Sequence, residues 1–195
     1  MSYGHRQNLE EVFFALAEAK FAEATASKGK VRHRNPETDA DESFMGYPSQ
    51  EGLAAVSVAI VSWATSLEAF TNLVWNEVLA PRIPKGTIRS LAIKQLSTVE
   101  KLKELFGVFS FEVGRVVWWS HIRQLFEMRN RLVHFKDEVV YQGFSFADPT
   151  RRSLNEDVVL RVREAVVSCI NELGRLSGAR TDFTHGDYEF ETINA

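Results

Sequence analysis

A chain of 195 residues suits one domain, or one domain with embellished ends, and its 45 % apolar and 25 % charged composition is that of a globular protein with a sizeable core. The net charge of -3 excludes a whole-protein signature of nucleic-acid binding, so any RNA site must be a local basic patch on a mildly acidic body. The single cysteine, Cys169, excludes an internal disulfide and a cysteine-rich metal site.

The chain runs directly into Glu10 and Glu11 where a signal peptide would be basic and then apolar, so a cytoplasmic home is expected. Helical periodicity dominates from there on, and strand signals are scarce. A first helix is expected from Asn8 to about Lys28, with Asn8 as its cap, Glu11 reaching back to complete a capping box, and Gly29 ending it. Leu9, Val12, Phe13, Leu16 and Phe21 read as its apolar side. Residues 30–49 read as a polar loop, with Asn35-Pro36, an acidic stretch and Pro48, and with room for a short turn around Phe44 and Met45.

The second helix should start near Ser49 and reach about Leu79, with Pro81 and Pro84 punctuating its end. It is apolar on nearly all sides from Leu53 to Trp75, which places it in the centre of a bundle. Its longest apolar run, Leu53 to Leu67, is too short to span a bilayer, so no membrane association is expected. Thr87 would cap a third helix that reaches Phe106 before Gly107 stops it, with a basic outer face of Arg89, Lys94, Lys101 and Lys103. A fourth helix is expected from about Ser110 to about Lys136. A loop from Asp137 to Arg152 follows, with space for a brief hairpin within Val139 to Phe146. Ser153 and Glu156 would form a second capping box for a last helix ending near Leu176, terminated by Gly174 or Gly178. Val158, Val162, Val166, Cys169, Ile170 and Leu173 would face inward, and the tail 178–195 stays unassigned. The expectation is a single all-α domain: an antiparallel helical bundle of four main helices plus an N-terminal one, with its core in residues 50–176.

Chemistry concentrates in Arg129-Asn130-Arg131-Leu132-Val133-His134, which brings a fixed cation, an amide and a titratable imidazole into six residues. The bare pattern of Arg, four to six residues, then His is weak, since roughly one match is expected by chance in such a chain. Three occur: Arg115 to His121, Arg129 to His134 and Arg180 to His185. Context favours the second. At about 100° per residue, Arg129 falls within an apolar stripe, while Arg123, Glu127, Asn130 and His134 form a separate polar stripe. An arginine on an apolar stripe needs a partner. Glu68 is the only charged residue from Gly52 to Asn76, with Asn72 one turn further along, so Glu68 is expected to meet Arg129 inside the bundle and orient it.

The bland readings are plain. His134 would merely interact with a helix C-terminus, Arg129 and Glu68 would be a structural pair, and Arg131 and Lys136 would be solvated. His121, after Trp118-Trp119, reads as a packed or surface histidine. His185, Asp187 and Glu189 would ligate a metal only with partners the sequence does not identify, and neither a metal nor a cofactor is expected.

Arg129-Asn130 followed by His134 resembles the HEPN superfamily, helical bundles whose signature is Arg, often a polar residue next, and His after four to six residues. The segment Ser66-Leu67-Glu68-Ala69-Phe70-Thr71-Asn72 is also similar to members of that group, and the resemblance covers about residues 50–176. It implies a metal-independent ribonuclease of toxin–antitoxin or phage-defence type, a homodimer, and an antitoxin or defence partner protein. One branch, paired with nucleotidyltransferase antitoxins, carries a tyrosine two residues after the His, where this chain has Lys136. In this reading Arg129, Asn130 and His134 are catalytic, with Glu68 and Asn72 supporting. Arg123, Arg131, Lys136, Arg151 and Arg152 would contact the RNA backbone. The alternative is the same fold as a non-catalytic module binding RNA, a nucleotide or a protein.

Overall fold

The computed structural model describes residues 8–34, 41–82, 95–133 and 154–185, and these are mostly helical. Among them, in chain order, lie α1 (Leu9–Ala26), β1 (Gly29–Arg34), β2 (Asp41–Gly46), α2 (Gln50–Val74), α3 (Thr98–Val108), α4 (Trp118–Val133) and α5 (Glu156–Ser177).

Helix α2 begins where its cap is expected: the Ser49 hydroxyl accepts from the Gly52 N–H. It continues through a π-helical turn, Trp75–Leu79, and a 3-10 turn, Ala80–Arg82. It packs against α1, α3, α4 and α5, which explains why it can be apolar nearly all round. Ile60, Trp63, Leu67 and Phe70 are fully buried. Each such burial contributes about 1.5–3 kcal/mol. By length and composition Gln50–Leu79 would also cross a membrane, but 61 % of its most apolar window is buried by the rest of the chain.

Helix α1 corrects the expected face. Phe14, Ala17 and Ala24 are buried, whereas Leu9, Val12 and Leu16 are exposed. Apolar residues are spread around this helix, so periodicity alone does not select a side; α1 turns Ala17 and Ala24 inward and lays Phe21 against Trp63, ring centroids 5.3 Å apart. Glu18 settles the orientation. It accepts from Trp63 Nε1 at 3.0 Å and from Arg163 Nη2 at 2.6 Å, tying α1 to both α2 and α5. Asn8 makes no side-chain cap bond, and Ser27, not Gly29, takes the C-cap.

The described part of the loop expected over 30–49 forms two paired strands instead. β1 and β2 pair antiparallel, with Val31 opposite Phe44 and Gly29 opposite Gly46. Val31 is buried and Phe44 half-buried, so each strand offers one well-placed apolar residue, too few for an alternating pattern. Three helix starts also move. The helix carrying Lys101, α3, begins at Thr98 behind the cap Ser97, which forms a capping box with Glu100, and it runs through Gly107. Thr87 lies outside the described residues. Helix α4 starts at Trp118, not Ser110, because Ser110 adopts φ 56° and a 3-10 turn, Val113–Arg115, intervenes. Asn155, not Ser153, caps α5 by accepting from the Val158 N–H at 2.9 Å. The possible hairpin within 139–146 lies outside the described residues.

Helix α5 buries Val162, Val166, Cys169, Ile170 and Leu173 as expected, together with Val159 and Ala165, while Val158 is half-buried. Burial pushes the Cys169 thiol up, which leaves it protonated and unreactive. Gly178 ends α5 at φ 78° and turns the chain back over it. Thr181 then lies so close that a Cβ on Gly174 would meet its Cγ2 at 2.2 Å. The 3-10 turn Asp182–His185 brings Phe183 between Phe14 and Phe70, centroids 5.7 and 6.0 Å away.

Two measurements check this packing. Gly174→Ala should lower stability by about 2 kcal/mol in urea unfolding, because the Thr181 segment must shift to admit a methyl group; an unchanged midpoint would show that the close approach is absent. Tyr47 is buried with its hydroxyl unpartnered among the described residues, and burial, then the nearby Glu156 carboxylate, push its pKa from 10.0 up to about 12. The fold therefore favours the neutral phenol, a contribution fully present below pH 10 and lost as pH rises through about 12. Tyr47→Phe should raise stability by about 1 kcal/mol at neutral pH and flatten its decline across that alkaline window, both read from denaturant melts.

Candidate functional site

The polar stripe expected on α4 borders a cleft of about 430 Å³. Its position follows from local sequence. Ile122, Leu125 and Met128 are buried against the core, which fixes the rotation of α4 and turns Arg123, Phe126, Glu127 and Asn130 toward the opening. Met128 follows Leu125 at the i+3 spacing that a shared helix face requires. Phe106 contacts the rings of Phe111 and Trp118 at 5.2 and 5.8 Å, which holds the turn between α3 and α4.

Across from α4, the Leu96–Val99 stretch at the start of α3 and Lys101 form one wall, and Glu68 of α2 closes the far side. The structure thus brings Glu68, Arg123, Arg129 and Asn130 to one opening. It does not pair Glu68 with Arg129. No ion pair joins them among the described residues; the half-buried Arg129 instead donates from Nη1 to Asn130 Oδ1 at 3.1 Å. Arg129 sits at the flank of the apolar stripe and reaches the cleft, so a partner beside it in sequence suffices.

Asn72 also has a different part from the one expected. Its Oδ1 accepts from Lys101 Nζ at 2.9 Å, which ties α2 to α3 at the cleft wall. In sequence Lys101 reads only as part of a basic outer face. Three cations, Lys101, Arg123 and Arg129, and two carboxylates, Glu68 and Glu127, therefore border the cleft. Glu68, Arg123 and Glu127 make no hydrogen bond or ion pair with any other described residue.

Other expected residues fall elsewhere. Arg131 is exposed and does not border the cleft. His134, Lys136, Arg151 and Arg152 lie outside the described residues, and His134 directly follows the last residue of α4 in sequence. The two competing Arg–His spacings have their arginines engaged: Arg115 pairs with Glu112, and Arg180 with Asp182 at 2.5 Å. His121 borders a separate cleft of about 390 Å³ between α4 and α5, beside Arg161 and Glu164. Among the described residues no three His, Cys, Asp or Glu side chains gather as a metal site.

The Asn72–Lys101 bond is open to a double-mutant cycle. Asn72→Ala and Lys101→Met should each cost about 1 kcal/mol, and the double variant no more than the larger single loss. Fully additive losses would mean the two side chains do not interact. No protein-family model, curated protein or solved structure matches this chain.

Proposed function

We propose that the chain is a HEPN-like, metal-independent endoribonuclease of toxin or phage-defence type, acting as a homodimer. One observation carries the reading: Arg129 and Asn130, bonded to each other, open onto a cleft shared with two further cations, on the helix that leads directly to His134 in sequence.

The chemistry follows from the groups. RNA brings its own nucleophile, the 2′-hydroxyl beside the phosphate. His134 takes the 2′ proton as the oxygen attacks phosphorus, and returns a proton to the 5′ oxygen as the P–O5′ bond breaks. The products are a 2′,3′-cyclic phosphate and a free 5′-hydroxyl. The guanidinium of Arg129 stabilises the extra negative charge on the phosphorane oxygens, and Asn130 fixes the direction of that guanidinium. Lys101 and Arg123 hold the flanking phosphates, and Arg131, Lys136, Arg151 and Arg152 extend the path of the strand. An antitoxin or defence partner would restrain the activity.

Labelled RNA incubated with the protein in EDTA tests this. Cleavage should yield a 2′,3′-cyclic phosphate end, leave DNA of the same sequence intact, and fall by about 100-fold or more in both Arg129→Ala and His134→Ala. RNA binding without cleavage would replace the enzyme with a binding module. No RNA interaction at low or moderate salt would leave a structural helical protein.

A further inference from the structure

Glu68 is the least expected group in the cleft. It is the only charged residue between Gly52 and Asn76, in the most apolar helix of the chain, and it is half-buried. A carboxylate in that setting ordinarily recruits a cation. Three cations border the same cleft, yet none pairs with it. Two are held by other acceptors: Lys101 Nζ by Asn72 Oδ1 at 2.9 Å, and Arg129 Nη1 by Asn130 Oδ1 at 3.1 Å. Glu127 also borders the cleft, but it is exposed, so lacking a protein partner costs it less. Glu68 is therefore the acceptor that a bound ligand has most to gain by meeting. The half-buried ring of Phe126 borders the same space and offers an apolar face beside it.

We propose that Glu68 is a base-reading residue: its two carboxylate oxygens accept the paired N–H donors of an unstacked guanine lodged in the cleft against Phe126. The choice of an RNA base rests on the ribonuclease reading; the choice among bases rests on donor geometry. Single-stranded RNA is read by stacking bases on side-chain rings and bonding their Watson–Crick edges. A carboxylate presents two parallel acceptors and no donor. Guanine alone presents two adjacent donors on that edge, N1–H and N2–H. Adenine and cytosine set an acceptor nitrogen beside their amino group, which repels a carboxylate oxygen. Uracil flanks its single N3–H with two carbonyls. The free carboxylate thus selects guanine by attraction and disfavours the other three bases by repulsion. The cations Lys101, Arg123 and Arg129 remain for the phosphates on either side.

Mononucleotide binding to the full chain, followed by calorimetry, separates this inference from the nuclease reading because it needs no cleavage. GMP should bind about tenfold tighter than AMP, CMP or UMP, the discrimination of one bidentate contact. IMP, which lacks the N2 amino group, should lose most of that advantage on the unaltered protein. Glu68→Gln places one donor against guanine's donors and should bring GMP to within about twofold of the others, with an unchanged thermal melt. Arg129→Ala should weaken all four nucleotides alike and keep the preference. Equal binding of the four nucleotides, IMP equal to GMP, or a preference that survives Glu68→Gln overturns the inference. RNA cut without regard to guanine sinks it while leaving the nuclease standing. A guanine preference in a protein that never cuts RNA does the reverse.

Discussion

A helix with almost no polar surface must be wrapped on every side, and the architecture of this protein follows from that requirement on α2. α1, α3, α4 and α5 all pack against it. Burial of its Ile60, Trp63, Leu67 and Phe70 supplies much of the driving force, and the surrounding helices take their rotations from it. Glu18 shows how such wrapping is made specific. One carboxylate engages Trp63 and Arg163 together, so α1 and α5 are keyed to α2 by direction as well as by apolar contact.

The wrapping is incomplete beside Glu68, and chemistry gathers there. Near Glu68 and Asn72 the helices part to leave the cleft, and the polar residues that the core cannot accept line it. The cleft is not a saturated ion-pair cluster. Lys101 and Arg129 are steered by neutral amide oxygens, so neither cancels a nearby carboxylate. Charges held apart by amides are ready to engage a ligand without first breaking a strong internal pair.

What was legible in the sequence follows the strength of each local signal. α2 was readable because its apolarity is extreme and Ser49 is a clear cap; α5 was readable from its spaced Val, Ile and Leu positions. The polar stripe of α4 was readable because Arg123, Glu127 and Asn130 repeat at helical spacing, and they do border the cleft. The buried face of α1 was not, because its apolar residues point everywhere and the deciding contact is a glutamate bonded across 45 and 145 positions. The paired strands were hidden because their apolar residues, Val31, Phe44 and the adjacent Met45, do not alternate. The Glu68–Arg129 pair was inferred from charge scarcity, but competition from a neighbouring amide is a short-range geometric matter that spacing does not encode.

The left-handed turn at Gly178 has a consequence for how the chain is made. Phe183 reaches back to rest on Phe14 and Phe70, so the inner face of the opening helix is completed by a residue near the far end of the described chain. During synthesis α1 can pack on α2 early, yet Phe14 lacks this neighbour until that phenylalanine has left the ribosome. Phe14 and Phe183 stand 169 positions apart, so this last contact of α1 closes late and across a long span of chain.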